Sequence, residues 1–216
     1  MATPPDRHVR GRRPDILRAA TDRFGRDGYE HTKWADIAVD VGIGPTALYH
    51  YFGSKQHCLF VIMDDALTDM RTRFQAFTST APDHTTALLS VLADSFDLSP
   101  HEIQRNRLLV AEQGLLAHPC RSPREEQARR DARMHTRELE LAWAAFLREA
   151  MEGGAIAAGH PRLTARAVLG IYNSVFAWFR PSGTVEVERM ADFFTDRILA
   201  ILGVERGTPR GLELAA

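Results

Sequence analysis

Apolar residues recur three and four positions apart along nearly the whole chain and nowhere alternate as a half-buried strand requires, a pattern that predicts an all-α protein. A first helix is expected from about Pro14 to Arg26, with Ile16, Leu17, Ala20 and Phe24 on one face and Gly28 near its end. The next stretch, TKWADIAVDVGIGPTALYHYFGSK from Thr32 to Lys55, carries the strongest signal. Thr32 is placed to cap a short helix that buries Ile37, Ala38 and Val41. Gly42 supplies the left-handed residue that ends it, and Pro45 suits the first turn of the next helix, where a missing N–H is harmless. That second helix, from about Pro45 to Phe52, turns Leu48 and Phe52 inward and leaves Thr46, Ala47, Tyr49, His50 and Tyr51 to differing extents outward. Two short helices about a glycine turn complete a three-helix unit with the first. They form a helix-turn-helix whose second helix has the short, polar and aromatic outer face of a groove reader, so the chain is expected to bind DNA.

After a tight turn at Gly53, Ser54 caps a long helix carrying Leu59, Ile62, Met63, Ala66, Leu67, Met70, Phe74 and Phe77. It is too long for the small unit alone, which makes it the natural lever for a ligand signal. A polar break from Ser79 to Thr86 precedes a helix with Leu88, Leu89, Val91, Leu92 and Phe96. Ser99-Pro100-His101-Glu102 and Ser122-Pro123-Arg124-Glu125 both read as capping boxes: a serine cap, a proline at the first helical position, and a glutamate that returns a hydrogen bond. The second box opens a long helix. Its first half interleaves Arg124, Arg129, Arg130 and Arg133 with Glu125, Glu126 and Asp131, either a solvated face or a patch for a ligand phosphate. Its second half carries Leu139, Ala142, Trp143, Phe146, Leu147, Ala150 and Met151, until Gly153-Gly154 ends it. The last two helices, about Thr164 to Phe179 and Val185 to Leu202, are the most apolar. They predict a two-fold four-helix interface with a second copy of the chain.

Composition alters this picture little. Among 216 residues, 44% are hydrophobic and 25% charged, the profile of an ordinary soluble globular protein. The formal net charge of -1 matters more, because affinity for nucleic acid must then come from a local basic surface. Arg7, Arg10, Arg12 and Arg13 crowd together near the start with only Asp6 against them. Cys58 and Cys120 do not make a disulfide framework, which fits a reducing cytoplasm. No apolar run approaches the roughly 18–20 residues that span a bilayer, and no apolar segment follows the early arginines, so neither membrane insertion nor secretion is expected.

Catalytic chemistry finds no constellation. The nine histidines are scattered, and there is no His-Glu-x-x-His, glycine-rich phosphate loop or nucleophile elbow. His57 and Cys58 are sequence neighbours and point to different sides of a helix, and His118 with Cys120 about Pro119 reads as a plain loop instead of a zinc site. No metal and no cofactor are expected, and the chain is not expected to be an enzyme. Asn173 stands out, since an amide on an otherwise apolar helix needs a partner: a ligand carbonyl, a dimer contact or a structural neighbour.

ILRAATDRF, GYEHTKWADIAVDVGI, TALYHYF and SK, between Ile16 and Leu59, resemble the first helix, helix-turn-helix, aromatic-ended recognition helix and fourth-helix lysine of the TetR family of transcriptional repressors. The resemblance implies DNA contacts at Thr32 and Lys33, at Thr46, Ala47, Tyr49 and His50, and from Lys55 to a phosphate, with Tyr51 as a further candidate. Gly44, Pro45 and Trp34 depart from the residues usual in the family. Between Arg129 and Leu202 the sequence is similar to the subgroup that senses acyl-CoA thioesters in fatty-acid or sterol-ring degradation, through Asn173, Trp178, Arg180, Pro181 and Gly183. Four segments are implied: a flexible basic arm (1–12), a helix-turn-helix DNA-binding domain (13–56), a helical ligand-binding and dimerisation domain (57–203) and a disordered tail (204–216). The implied protein is a cytoplasmic homodimer on a palindromic operator, its reading helices about 34–36 Å apart or at a related spacing. A small hydrophobic effector, an acyl-CoA or else a drug-like or polyketide-like molecule, releases it by tilting the long helix. The cavity is expected among that helix, the helix from Pro123 and the helix of Asn173, with Trp143, Phe146, Asn173, Phe176 and Trp178 as lining residues.

Overall fold

The computed structural model describes residues 7–180 and 183–204, and every regular element among them is helical. The order is α1 (Arg7–Asp27), α2 (Trp34–Val41), α3 (Pro45–Tyr51), α4 (Lys55–Thr80), α5 (His84–Phe96), α6 (Pro100–Glu112), a 3₁₀ segment (Gln113–Ala117), α7 (Pro123–Glu152), α8 (Pro161–Trp178) and α9 (Val187–Leu202). Among the described residues no helix is long and apolar enough to cross a membrane. The chain forms two compact units. The first holds the residues up to Met70 together with Leu98–Arg137; the second holds Arg71–Asp97 and the residues from Glu138 on. This division does not follow a boundary at residues 56 and 57, because α1 packs along α6, and α6 and the start of α7 thereby belong with the helix-turn-helix.

In the first unit the core gathers on α4. Cys58, Leu59, Phe60, Ile62, Met63, Ala66 and Leu67 are all buried, which is more than one helical face, and Ile16, Ala20, Phe24, Ile37, Ala38, Leu48 and Phe52 close over them. Phe60 is fully buried although it lies off the stripe that the sequence periodicity marks. In the second unit α8 packs on α9 and α9 on α5, burying Leu88, Val91, Leu92, Phe96, Val168, Tyr172, Val175, Phe176, Ile198, Leu199 and Leu202.

Several expectations are corrected. α1 begins at Arg7, with Pro14 inside it, so residues 7–12, expected in a basic arm, lie within that helix; residues 1–6 lie outside the described part, as do Pro181, Ser182 and the tail from residue 205. A proline within a helix removes the hydrogen bond to the carbonyl four residues back without preventing the helix from continuing. The capping box at Ser99 is closed on both sides by Glu102, but Glu125 does not close the second one, because its carboxylate accepts the hydroxyl hydrogen of Ser54 instead. α8 starts at Pro161 behind a His160 cap, earlier than Thr164, and α9 starts at Val187 behind Glu186.

Candidate nucleic-acid interface

The turn between α2 and α3 is built as its residues require. Gly42 adopts φ 68° and ψ 39°, its N–H returning to the last turn of α2, a left-handed conformation that only glycine enters at no steric cost. Gly44 then stands extended at the start of α3 and Pro45 occupies its first turn. Arg23 of α1 donates to the Asp40 carboxylate of α2, through Nη2 at 2.9 Å and through Nε, which fixes the two helices side by side. Fully buried Leu48 and Phe52 hold the inner face of α3.

On the outer face Thr46, Tyr49 and His50 are exposed, Tyr49 at 53%, while Ala47 and Tyr51 are half-buried. Lys33 is exposed at the start of α2. These residues stand as a groove-reading surface needs. Thr32 and Lys55 do not. Thr32 is buried, its hydroxyl donates to the Gly28 carbonyl at 2.8 Å, and the cap position of α2 falls on Lys33, so Thr32 neither caps that helix nor offers its hydroxyl outward. The Lys55 ammonium donates to the carbonyls of Tyr29 (2.7 Å), Thr32 (3.1 Å) and Glu30 (3.3 Å) and sits 4.3 Å from the Tyr29 ring centroid. An ammonium has three hydrogens, and all three are engaged with backbone. The resemblance assigned Lys55 to a phosphate; here it clasps the turn between α1 and α2.

Around the end of α3, Ser54 caps α4 by accepting from the His57 N–H (3.0 Å) while donating to Glu125 of α7 (2.5 Å), and the Gly53 N–H donates to His57 Nδ1 (3.1 Å). Desolvation, then Arg13 and Arg124, lowers the His57 pKa below its ordinary value. Burial pushes the neighbouring Cys58 thiol far up, which leaves it without thiolate character. α7 is anchored at its start by Glu126, whose carboxylate is held well below the usual range by Arg129, by the Cys120 N–H and by Arg130. Buried Arg129 also donates to the Leu116 carbonyl at 2.6 Å. The arginine-glutamate interleaving of α7 is therefore partly structural: Arg129 is an internal brace, and Arg124 and Arg130 remain exposed.

The residues expected to line an effector cavity fall into separate places within the second unit. Trp143 and Phe146 are buried in an aromatic group with Phe74, at centroid distances of 4.7 Å and 5.8 Å from it, and His84 adds a fourth ring 5.5 Å from Phe146. Phe176 is buried beside Tyr172 (5.0 Å), which in turn meets Phe96 (5.5 Å). Asn173 is half-buried. Trp178 is 48% exposed and lies over Phe194 at 6.1 Å, so it faces the surface and not an interior cavity. Phe74, Tyr172 and Phe96 were predicted only as helix-face residues. No local signal reports which helix meets which.

Two family descriptions match this chain. Residues 16–62 match the bacterial regulatory proteins of the tetR family, and residues 115–202 match the tetracyclin repressor-like C-terminal domain. A curated relative, the HTH-type transcriptional repressor KstR2 of Mycolicibacterium smegmatis, is 23% identical over 91% of this chain and 93% of its own. Among solved structures, the TetR family regulator PfmR of Thermus thermophilus superposes with a TM-score of 0.70, at 29% identity, covering 88% of this chain and 99% of that one. AibR in complex with isovaleryl coenzyme A and operator DNA superposes with a TM-score of 0.72, at 19% identity, covering 87% and 97%; it shares the fold.

Proposed function

We propose, from the premise that this chain belongs to the TetR family of bacterial transcriptional regulators and is not an enzyme, that it is a ligand-responsive repressor released from a palindromic operator by an acyl-CoA thioester. The observation that carries the DNA-binding part is the exposed row of Thr46, Tyr49 and His50 on a short helix whose opposite face is fully buried. Such a helix presents side chains to base edges and keeps its orientation through its own core.

The dimer is supported by α8 and α9, which leave Leu163, Trp178, Phe193 and Ile201 between 47% and 60% exposed. Large apolar side chains at this density on two adjacent helices are what a second copy covers in an isologous four-helix contact. The effector class is supported by the company the chain keeps: a relative is named KstR2, and a neighbour in fold holds isovaleryl coenzyme A. Within the second unit, the Phe74–Trp143–Phe146 group and, separately, the pair Tyr172–Phe176 are apolar side chains on which an acyl chain would pack, and half-buried Asn173 of α8 is an amide for its thioester carbonyl. An effector that prefers one arrangement of α4 shifts the population of heads competent to bind, and the shift equals its differential affinity for the two states.

One experiment tests the whole reading. A duplex selected by the protein from a random-sequence library is bound, then challenged with isovaleryl-CoA, longer acyl-CoA thioesters, free CoA and a hydrophobic cation. Release by acyl thioesters alone supports the proposal; release by the cation alone transfers it to a drug-type effector. The Tyr49→Ala/His50→Ala double variant is expected to lose all preference for that duplex while remaining a folded dimer by circular dichroism and sedimentation. Retained preference would show that α3 is not the reading helix.

A further inference from the structure

With a net charge of -1, the protein needs local cations wherever it meets a phosphate backbone, and the lysine placed for that duty by resemblance is occupied by three carbonyls. The question is which cations beside α3 remain free. A cleft of about 560 Å³ in the first unit is lined on one side by His50 and Tyr51 of α3 and on others by Arg13 of α1, His57 of α4 and Arg124 of α7. Arg13 and Arg124 thus line the same cleft as His50 and Tyr51 at the end of α3, and both add to the desolvation that lowers the His57 pKa. Neither has a carboxylate within ion-pair distance among the described residues.

We propose that Arg124, at the start of α7, contacts the phosphodiester backbone of duplex DNA alongside His50 and Tyr51, with Arg13 of the same cleft as its companion. The inference rests on the operator-binding reading above and adds to the helix-turn-helix a residue some seventy positions away in sequence. Arg124 is exposed, yet it is not loosely placed. Its side-chain stem lies against Gly53, where an added Cβ would meet its Cδ at 3.9 Å, and the next residue, Glu125, is bonded to Ser54. The first turn of α7 is thus tied to the turn that follows α3. Arginine is suited to such a position because its planar fork matches two phosphate oxygens at once.

The same cleft holds three carboxylates, and each is accounted for. Asp64 is paired with His135 at 2.6 Å, and Asp131 accepts from the Gln127 amide at 2.8 Å. Asp65, raised above its ordinary range by desolvation, feels Arg13 first among its cations. Asp131 is seven residues from Arg124 along α7, about 10 Å at 1.5 Å per residue, and Asp64 and Asp65 are two to three turns into α4. A Debye length at physiological salt is about 8 Å, so Arg124 keeps most of its field toward an approaching phosphate. Arg13, stacked 5.3 Å from the Phe52 ring centroid and nearer Asp65, is the weaker partner.

The test measures affinity against salt for the duplex selected by the wild-type protein and for an unrelated duplex of equal length. Each phosphate contact contributes about 0.9 to the slope of log affinity against log salt. Arg124→Gln is expected to lower the slope by about one per protomer and to weaken both duplexes by the same factor, about fivefold per contact near 0.15 M salt. Arg124→Lys should restore most of the slope, and neither variant should alter the unfolding midpoint. A wild-type slope in Arg124→Gln overturns the inference, as does a loss confined to the selected duplex, which would make Arg124 a base reader. If the wild-type protein itself shows no salt-dependent preference for any selected duplex, the operator-binding reading fails and not this inference alone.

Discussion

The two compact units are held together by different kinds of contact. Around α2 and α3 the decisive contacts are directional: Lys55 on three carbonyls, Thr32 on Gly28, Arg23 on Asp40, Ser54 between His57 and Glu125. In the second unit they are rings packed on rings, Phe74 with Trp143 and Phe146, and Tyr172 with Phe96 and Phe176. A surface that must match the fixed spacing of base pairs gains from bonds that tolerate little angular change. If the second unit takes up a flexible hydrophobic molecule, as proposed above, it gains from contacts that depend on volume and depend little on direction. The difference teaches where each unit tolerates substitution.

The largest expected effect breaks the aromatic side of that comparison. Trp143 is 5% exposed and touches both Phe74 and Phe146, so Trp143→Ala should cost about 4 kcal/mol in denaturant unfolding, as ring-to-methyl truncations in cores do. Trp143→Phe should recover more than half of the loss, because apolar volume is what the site requires. If Phe is no better than Ala, the packing is as directional as that of the head and the comparison fails.

Lys55 supplies the converse. Lys55→Met keeps the stem but removes the donors for three carbonyls, at a cost of about 2 kcal/mol. Lys55→Arg should recover little of this, since a planar fork does not reproduce three divergent ammonium donors. The slope of DNA affinity against salt should stay as in the wild type after correction for folded fraction. A slope reduced by about one would return Lys55 to the phosphate role that the resemblance gave it.

Legibility divides along the same line. Gly42, Pro45, Leu48 and Phe52 act over a few residues of chain, so the helix-turn-helix could be drawn from the sequence with ends correct to within a residue or two. The fully buried Phe60 was missed because α4 is covered from more than one side, and a single amphipathic stripe does not show that. Glu125 was assigned its partner by a short-range capping rule and Lys55 a phosphate by resemblance, yet each found a partner within the chain 23 to 71 positions away. Likewise, Trp143 and Phe176 were correctly marked as apolar helix residues, but periodicity fixes the face a residue occupies and says nothing of which ring it will meet. Hence the helix-turn-helix was largely visible in the sequence and the ring packing of the second unit was not.

The smallest effect sharpens the directional side at the start of α7. Glu126 accepts from Arg129, the Cys120 N–H and Arg130, which lowers its pKa far below the ordinary carboxylate value. The folded state therefore binds this proton less readily than the unfolded chain, and the unfolded chain takes it up first as pH falls. The stability that Glu126 contributes is complete above the ordinary carboxylate range, begins to fall as pH enters that range, and is gone once pH passes below the depressed folded value. Glu126→Gln should thus be less stable than wild type at pH 7 and converge on it under acid, measured as unfolding midpoints over a pH series. A variant gap that widens as pH falls would reverse the sign. A gap absent at every pH would mean that Arg129, bonded to Leu116 as well, holds the α7 start without help from the carboxylate.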